Sequence, residues 1–181
     1  GLMLMLHPLL DALEVMHAKQ CYHRDIAPDN ILLLEPEDGS SPLRPVLLDF
    51  GAARRVIGDA TQALTVILKP GYAPIEQYAE TAHARQGPWT DVYALCATLY
   101  HAVSGRVPEP SVARLMHDGL QPAVVVGEGR YSPTFLAAID RGMAVKPTER
   151  PQSVQALREL LRADAAPVAA AVTRSVLADD D

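Results

Sequence analysis

Asp25 and Asn30 are five residues apart in His23-Arg24-Asp25-Ile26-Ala27-Pro28-Asp29-Asn30, and a second acid opens Asp49-Phe50-Gly51 further on. Two short apolar runs, Ile31–Leu34 and Val46–Leu48, lie between these segments. Strands made from those runs would form a small hairpin, with the acid, the amide and the second acid on loops at one end of it. Such a set suits phosphoryl transfer from a metal–nucleotide complex. One carboxylate orients and deprotonates the attacking hydroxyl, and the remaining oxygens hold magnesium.

The rest of the chain must position those loops. Leu9, Leu10, Leu13 and Met16 recur at helical spacing, which predicts a buried helix over about 8–18 that delivers the chain to His23. Glu35–Pro45, rich in Pro, Gly, Ser and acid, reads as a solvated hairpin loop. Residues 52–88 have little periodicity and carry several Gly and Pro. So long an irregular stretch in a compact domain is usually functional. From Asp91 to Ser104 the sequence is nearly all apolar, which predicts a central helix buried on every side, capped by Thr90 and stopped by Gly105. Val112, Leu115 and Met116 predict a short helix, and Ser132-Pro133 opens another with Phe135, Leu136, Ile139 and Met143 inward. Ser153 is expected to cap a last helix carrying Val154, Leu157, Leu160 and Leu161. The expected fold is mainly α, with one small β-hairpin. The Ala-rich, then acidic stretch 163–181 reads as a disordered tail.

Composition narrows the function. Of the 181 residues 49% are hydrophobic, enough for a real core. A net charge of −6 argues against a general nucleic-acid binder. The two cysteines, Cys21 and Cys96, make neither a metal cluster nor a disulfide framework, so a reduced, cytoplasmic setting is expected. No run of about 18 uninterrupted apolar residues predicts a membrane span, and any anchor would lie outside this sequence. Gly1 stands inside an apolar run, so the sequence reads as starting within a longer one.

The two motifs resemble the catalytic loop (H-R-D-x-x-x-x-N) and metal loop (D-F-G) of the protein kinase family. Pro70-Gly71-Tyr72-Ala73-Pro74-Ile75-Glu76-Gln77-Tyr78 and Gly87-Pro88-Trp89-Thr90-Asp91-Val92-Tyr93-Ala94-Leu95 are similar to bacterial, eukaryotic-like serine/threonine kinases. The resemblance implies the helical C-terminal lobe of that fold over residues 1–162, with the hairpin at the catalytic cleft. It implies Asp25 as catalytic base and Asn30 and Asp49 as ligands of magnesium, with manganese as a substitute. It places Leu32 under the adenine of ATP and Asp29 beside the ribose. Partners would be protein substrates with Ser or Thr acceptors and the chain's own N-lobe, since no Gly-rich phosphate loop or V-A-I-K lysine occurs in these residues. Glu76 and Arg150 resemble the family's buried ion pair, and Asp91 the acid that accepts bonds from catalytic-loop amides.

Two positions depart from the family pattern. Its lysine two residues after the catalytic Asp is replaced here by Ala27, and the threonine of its substrate-facing segment aligns with Lys69. Lys69 is therefore a candidate catalytic residue that returns an ammonium to the same spot. Pro74-Ile75-Glu76 stands where most members read A-P-E, and Cys96 where glycine is frequent, a mild packing change. Arg24 implies control by phosphorylation, with Thr65 as first site and Thr61 as second. Two alternatives stay open: a pseudokinase or docking scaffold without turnover, and a small-molecule phosphotransferase of the same fold.

Overall fold

Helix α2, Pro88–Ser104, runs through the centre of the structure, and every residue from Thr90 to Ala97 is buried. A helix with no polar stripe can only be stable with neighbours on all sides, and the other elements supply them. The computed structural model describes residues 2–35, 39, 43–49, 54–55, 67–78 and 85–162. The tail from 163 onward and the two threonines, Thr61 and Thr65, lie outside the described residues.

In chain order the elements are α1 (Leu2–Ala18), β1 (Cys21–Tyr22), β2 (Ile31–Leu34), β3 (Arg44–Leu47), β4 (Arg54–Arg55), α2, α3 (Ser111–Met116), α4 (Ala123–Val126), α5 (Pro133–Gly142) and α6 (Val154–Arg162). Helix α1 begins six residues earlier than the sequence predicts, with Pro8 inside it. An internal proline costs about 3 kcal/mol through its missing N–H and ring clash. The stripe Leu6, Leu9, Leu10 and Leu13 is buried at i, i+3, i+4 and i+7 and offsets that cost, at roughly 1.5–3 kcal/mol per side chain.

Strands β2 and β3 form the expected antiparallel hairpin, in a register from Ile31 opposite Leu47 to Leu34 opposite Arg44. A second, two-residue antiparallel pairing, Cys21 with Arg55 and Tyr22 with Arg54, has no signal in the sequence because it is too short to show alternation. Helix α4 was also not predicted. Its Ala-Val-Val-Val composition favours strand, but the Asp140 carboxylate on α5 accepts from the amides of Ala123 at 2.6 Å and Val124 at 3.1 Å. That tertiary cap satisfies the first turn and fixes it as helix.

The caps of α5 and α6 are as predicted. Ser132 Oγ accepts from Phe135 N at 3.3 Å and Ser153 Oγ from Ala156 N at 3.0 Å. Of the apolar residues on α6, Val154 and Leu157 fill the core while Leu160 is 37% exposed. Helix α2 starts at Pro88 with Gly87 as its cap, so Thr90 is three residues inside rather than at the cap. Its hydroxyl still turns back to accept from Gly87 N at 3.1 Å. Gly105 ends the helix at φ +72°, a backbone that glycine adopts without strain.

Cys96 sits where α2 meets the end of α5. A Cβ on Gly142 would fall 2.2 Å from its sulfur, so the thiol is accommodated by a glycine on the facing helix. Burial pushes the Cys96 thiol up to about 12, which keeps it protonated and inert across the physiological range. No helix among the described residues is long and apolar enough to cross a membrane.

Candidate active site

The loop between β1 and β2 is held by a buried acid from the central helix. Asp91, with no exposed surface, accepts from His23 N at 2.8 Å, Arg24 N at 2.8 Å and His17 Nε2 at 2.8 Å. Arg24 lies at φ +66°, a left-handed backbone that costs a non-glycine residue about 1–2 kcal/mol. The bonds to Asp91 hold the chain in that turn and aim the next residue, Asp25, into the cleft. Substituting Asp91→Asn replaces one acceptor by an NH2 facing a donor. Urea unfolding of the 181-residue chain should show a loss of about 2 kcal/mol.

Asp25 and Asn30 meet directly. Asn30 Nδ2 donates to the Asp25 carbonyl oxygen at 2.7 Å and to Asp25 Oδ2 at 2.7 Å. With both amide hydrogens committed, Oδ1 of Asn30 is the atom left for a ligand. The backbone carries Asp49 to the same place. Leu48 N donates to Asn30 O at 2.8 Å, and the His23 ring Nε2 is 3.0 Å from Leu48 O. Asp49 follows at φ +56°, turning away from the strand direction immediately after that junction. The hairpin and the buried His23 thus bring the three sequence-predicted residues to one end of the sheet. Asn30 and Asp49 are hard oxygen donors, a set that fits magnesium completed by phosphate oxygens and water. Leu32 presents an exposed apolar surface on β2.

The opposite wall of the cleft is segment 67–78. Lys69 Nζ is 2.8 Å from Asp29 Oδ1 and 3.3 Å from Asp25 Oδ1. Burial alone would lower the Lys69 pKa, but the bond to Asp29 and the charge of Asp25 outweigh it and raise it. Ala27 is fully buried.

Glu76 and Gln77 both anchor the segment. Arg150 Nη1 and Nη2 bind Glu76 Oε1 at 2.7 Å and Oε2 at 3.2 Å, a bidentate pair buried at both ends. Thr90 Oγ1 donates to Glu76 Oε1 at 3.0 Å. Gln77 Nε2 donates to Arg24 O at 2.9 Å, tying the segment to the loop that carries Asp25. Neither Gln77 nor the support that His17 gives Asp91 stood out in the sequence. Each acts through one bond to a partner far along the chain, which leaves no local pattern.

A model of the protein kinase domain matches residues 2–161, nearly the whole described chain. The chain belongs to the protein kinase family. Serine/threonine-protein kinase PknA from Nostoc sp. is 36% identical over 164 residues, covering 85% of this chain and 26% of the relative. Serine/threonine-protein kinase C from Synechocystis sp. is 33% identical over 162 residues, with 85% and 28% covered. The chain therefore spans only about a quarter of the length of these relatives. Among solved structures, the chain is similar to one titled PpkA-294 apo form, at 43% identity and a TM-score of 0.70, over 88% of this chain and 53% of the other. The chain has the helical lobe of the family fold, with the small hairpin at its cleft, and bacterial serine/threonine kinases are among its relatives. The Glu76–Arg150 pair and the Asp91 bonds to the loop amides, implied by resemblance, are both present as geometry.

Proposed function

We propose that the intact protein is a serine/threonine protein kinase that transfers the terminal phosphate of ATP to hydroxyls of protein substrates. The observation that carries this reading is the joining of Asp25 and Asn30 by a 2.7 Å bond, with Asp49 adjoining through Leu48. Asp25 orients the acceptor hydroxyl and takes its proton as the oxygen attacks. Asn30 and Asp49 would hold magnesium, which supplies positive charge to the phosphate oxygens. Leu32 offers an apolar surface to the adenine, and Asp29 stands near the ribose. Segment 67–78, anchored by Glu76–Arg150, forms the platform for a protein acceptor, which favours this reading over a small-molecule phosphotransferase.

One observation favours a scaffold without turnover: Ala27 puts no charge beside the base on its own loop. The two readings differ in an assay of the intact protein with radiolabelled ATP, magnesium and a general protein acceptor. Phosphoserine or phosphothreonine is the expected product. Absence of transfer with demonstrated nucleotide binding would establish the scaffold instead. The 181-residue chain alone should show little or no turnover, because these residues enclose the nucleotide from one side and positioning supplies most of the catalysis.

A further inference from the structure

The Asp25 carboxylate is approached from two directions. Asn30 Nδ2 holds Oδ2, and Lys69 Nζ stands 3.3 Å from Oδ1. The ion pair is at the mouth of the cleft, with 28% of the Lys69 side chain and 20% of the Asp25 side chain exposed. An ammonium so placed is within reach of whatever Asp25 binds. Ala27, two residues after Asp25 on its own loop, carries only a methyl group and cannot do the same.

The Lys69 backbone is fixed although its ammonium is accessible. Both Tyr72 N and Ala73 N donate to Lys69 O at 2.9 Å, closing a tight turn over Pro70 and Gly71. A Cβ on Gly71 would lie 2.3 Å from a Val107 methyl, so the turn is packed against the segment after α2. Tyr72 hydroxyl is 2.7 Å from His101 Nδ1, a further tie to α2. The side chain thus leaves a rigid base and points at the two carboxylates of the facing loop.

We propose that Lys69 is a catalytic residue of the phosphotransfer proposed above, its ammonium delivered to the transferring phosphoryl group by the substrate-facing segment rather than by the catalytic loop. As the acceptor hydroxyl binds Asp25, the ammonium exchanges its contact with Oδ1 for one with a phosphoryl oxygen about 3 Å away. The acceptor oxygen forms the new O–P bond while the bridging O–P bond of ATP breaks, and the nucleoside diphosphate leaves with that electron pair. The hydroxyl proton passes to Asp25, and Lys69 keeps its own. Its charge stabilises the equatorial oxygens, a contribution made mainly in the transition state. One consequence is particular to this arrangement. The base and the cation lie on different segments, so turnover requires 67–78 to be docked through Gln77 and Glu76. The acceptor platform and the charge are then delivered together.

The test uses the intact protein with ATP, magnesium and an acceptor peptide. Lys69→Met keeps most of the stem and removes the charge. It should lower kcat by roughly 100-fold with the KM for ATP within threefold. A readout without turnover accompanies it: affinity for ADP should be unchanged, while affinity for ADP with aluminium fluoride and peptide, a mimic of the transferring group, should fall at least tenfold. Lys69→Arg should lie within tenfold of wild type. An active wild type whose Lys69→Met variant keeps kcat within tenfold, or whose Arg variant is as slow as Met, overturns this proposal and leaves the kinase reading standing. A wild type that transfers no phosphate overturns both.

Discussion

Asp25→Asn should lower the kcat of the intact protein by roughly 10³ while leaving the fold undisturbed. The amide has the size of the carboxylate and can still accept from Asn30 Nδ2 through its oxygen. The bond from Asn30 Nδ2 to the residue 25 carbonyl, at 2.7 Å, does not involve the side chain at all. What is lost is the ability to take a proton and the charge that holds Lys69 at 3.3 Å. The variant should therefore keep its affinity for ATP, and its unfolding midpoint should move little. Quench-flow with a saturating acceptor peptide would measure the chemical step itself. Retention of a tenth or more of wild-type kcat would remove Asp25 from the role of base, whatever the family resemblance.

The parts of this site that could be read from the sequence are those with short-range signals. Asp25 and Asn30 are close in the chain, and the apolar runs on either side of the hairpin loop announce strands. The buried central helix could be read because Val92 to Ala97 offers no polar face. The exposed charged pairing of Lys69 with Asp29 was only half legible. An unusual lysine was evident, but its partners depend on a turn closed by the Lys69 carbonyl. Boundaries failed where burial overrode local preference. Helix α1 runs through Pro8 because its leucines are buried, and α4 is helical because Asp140 on another helix caps it. Thr90 was read as a cap from its type alone. In the structure the same hydroxyl serves the helix start and Glu76 together, a double use that requires the fold to exist first.

Arg150 is the residue on which the position of segment 67–78 depends most heavily. Besides its two bonds to Glu76, its guanidinium donates to Ala144 O at 2.7 Å, Val145 O at 2.7 Å and Trp89 O at 3.3 Å. It also lies over the Tyr93 ring, 4.7 Å from the centroid. Arg150→Ala would leave the Glu76 carboxylate buried with Thr90 as its remaining donor among the described residues, strip three carbonyls of a partner and open a cavity beside Tyr93. The expected loss is about 3–5 kcal/mol, a large share of what a domain of this size has. Urea unfolding of the 181-residue chain, followed by far-UV circular dichroism, would measure it. The pair can be separated from the packing by a double-mutant cycle. Glu76→Leu with Arg150→Met removes both charges together, and the double variant should be more stable than Arg150→Met alone, since no isolated buried charge is left. A single-variant loss below 1 kcal/mol would mean that water reaches Glu76 and that the segment is held chiefly by Gln77 and the Gly71 turn. The functional consequence then follows from geometry. With Glu76 unanchored, Lys69 and the rest of segment 67–78 lose their fixed distance from Asp25, so on the proposed function turnover of the intact protein should fall even at temperatures where α2 and the loop that carries Asp25 remain folded.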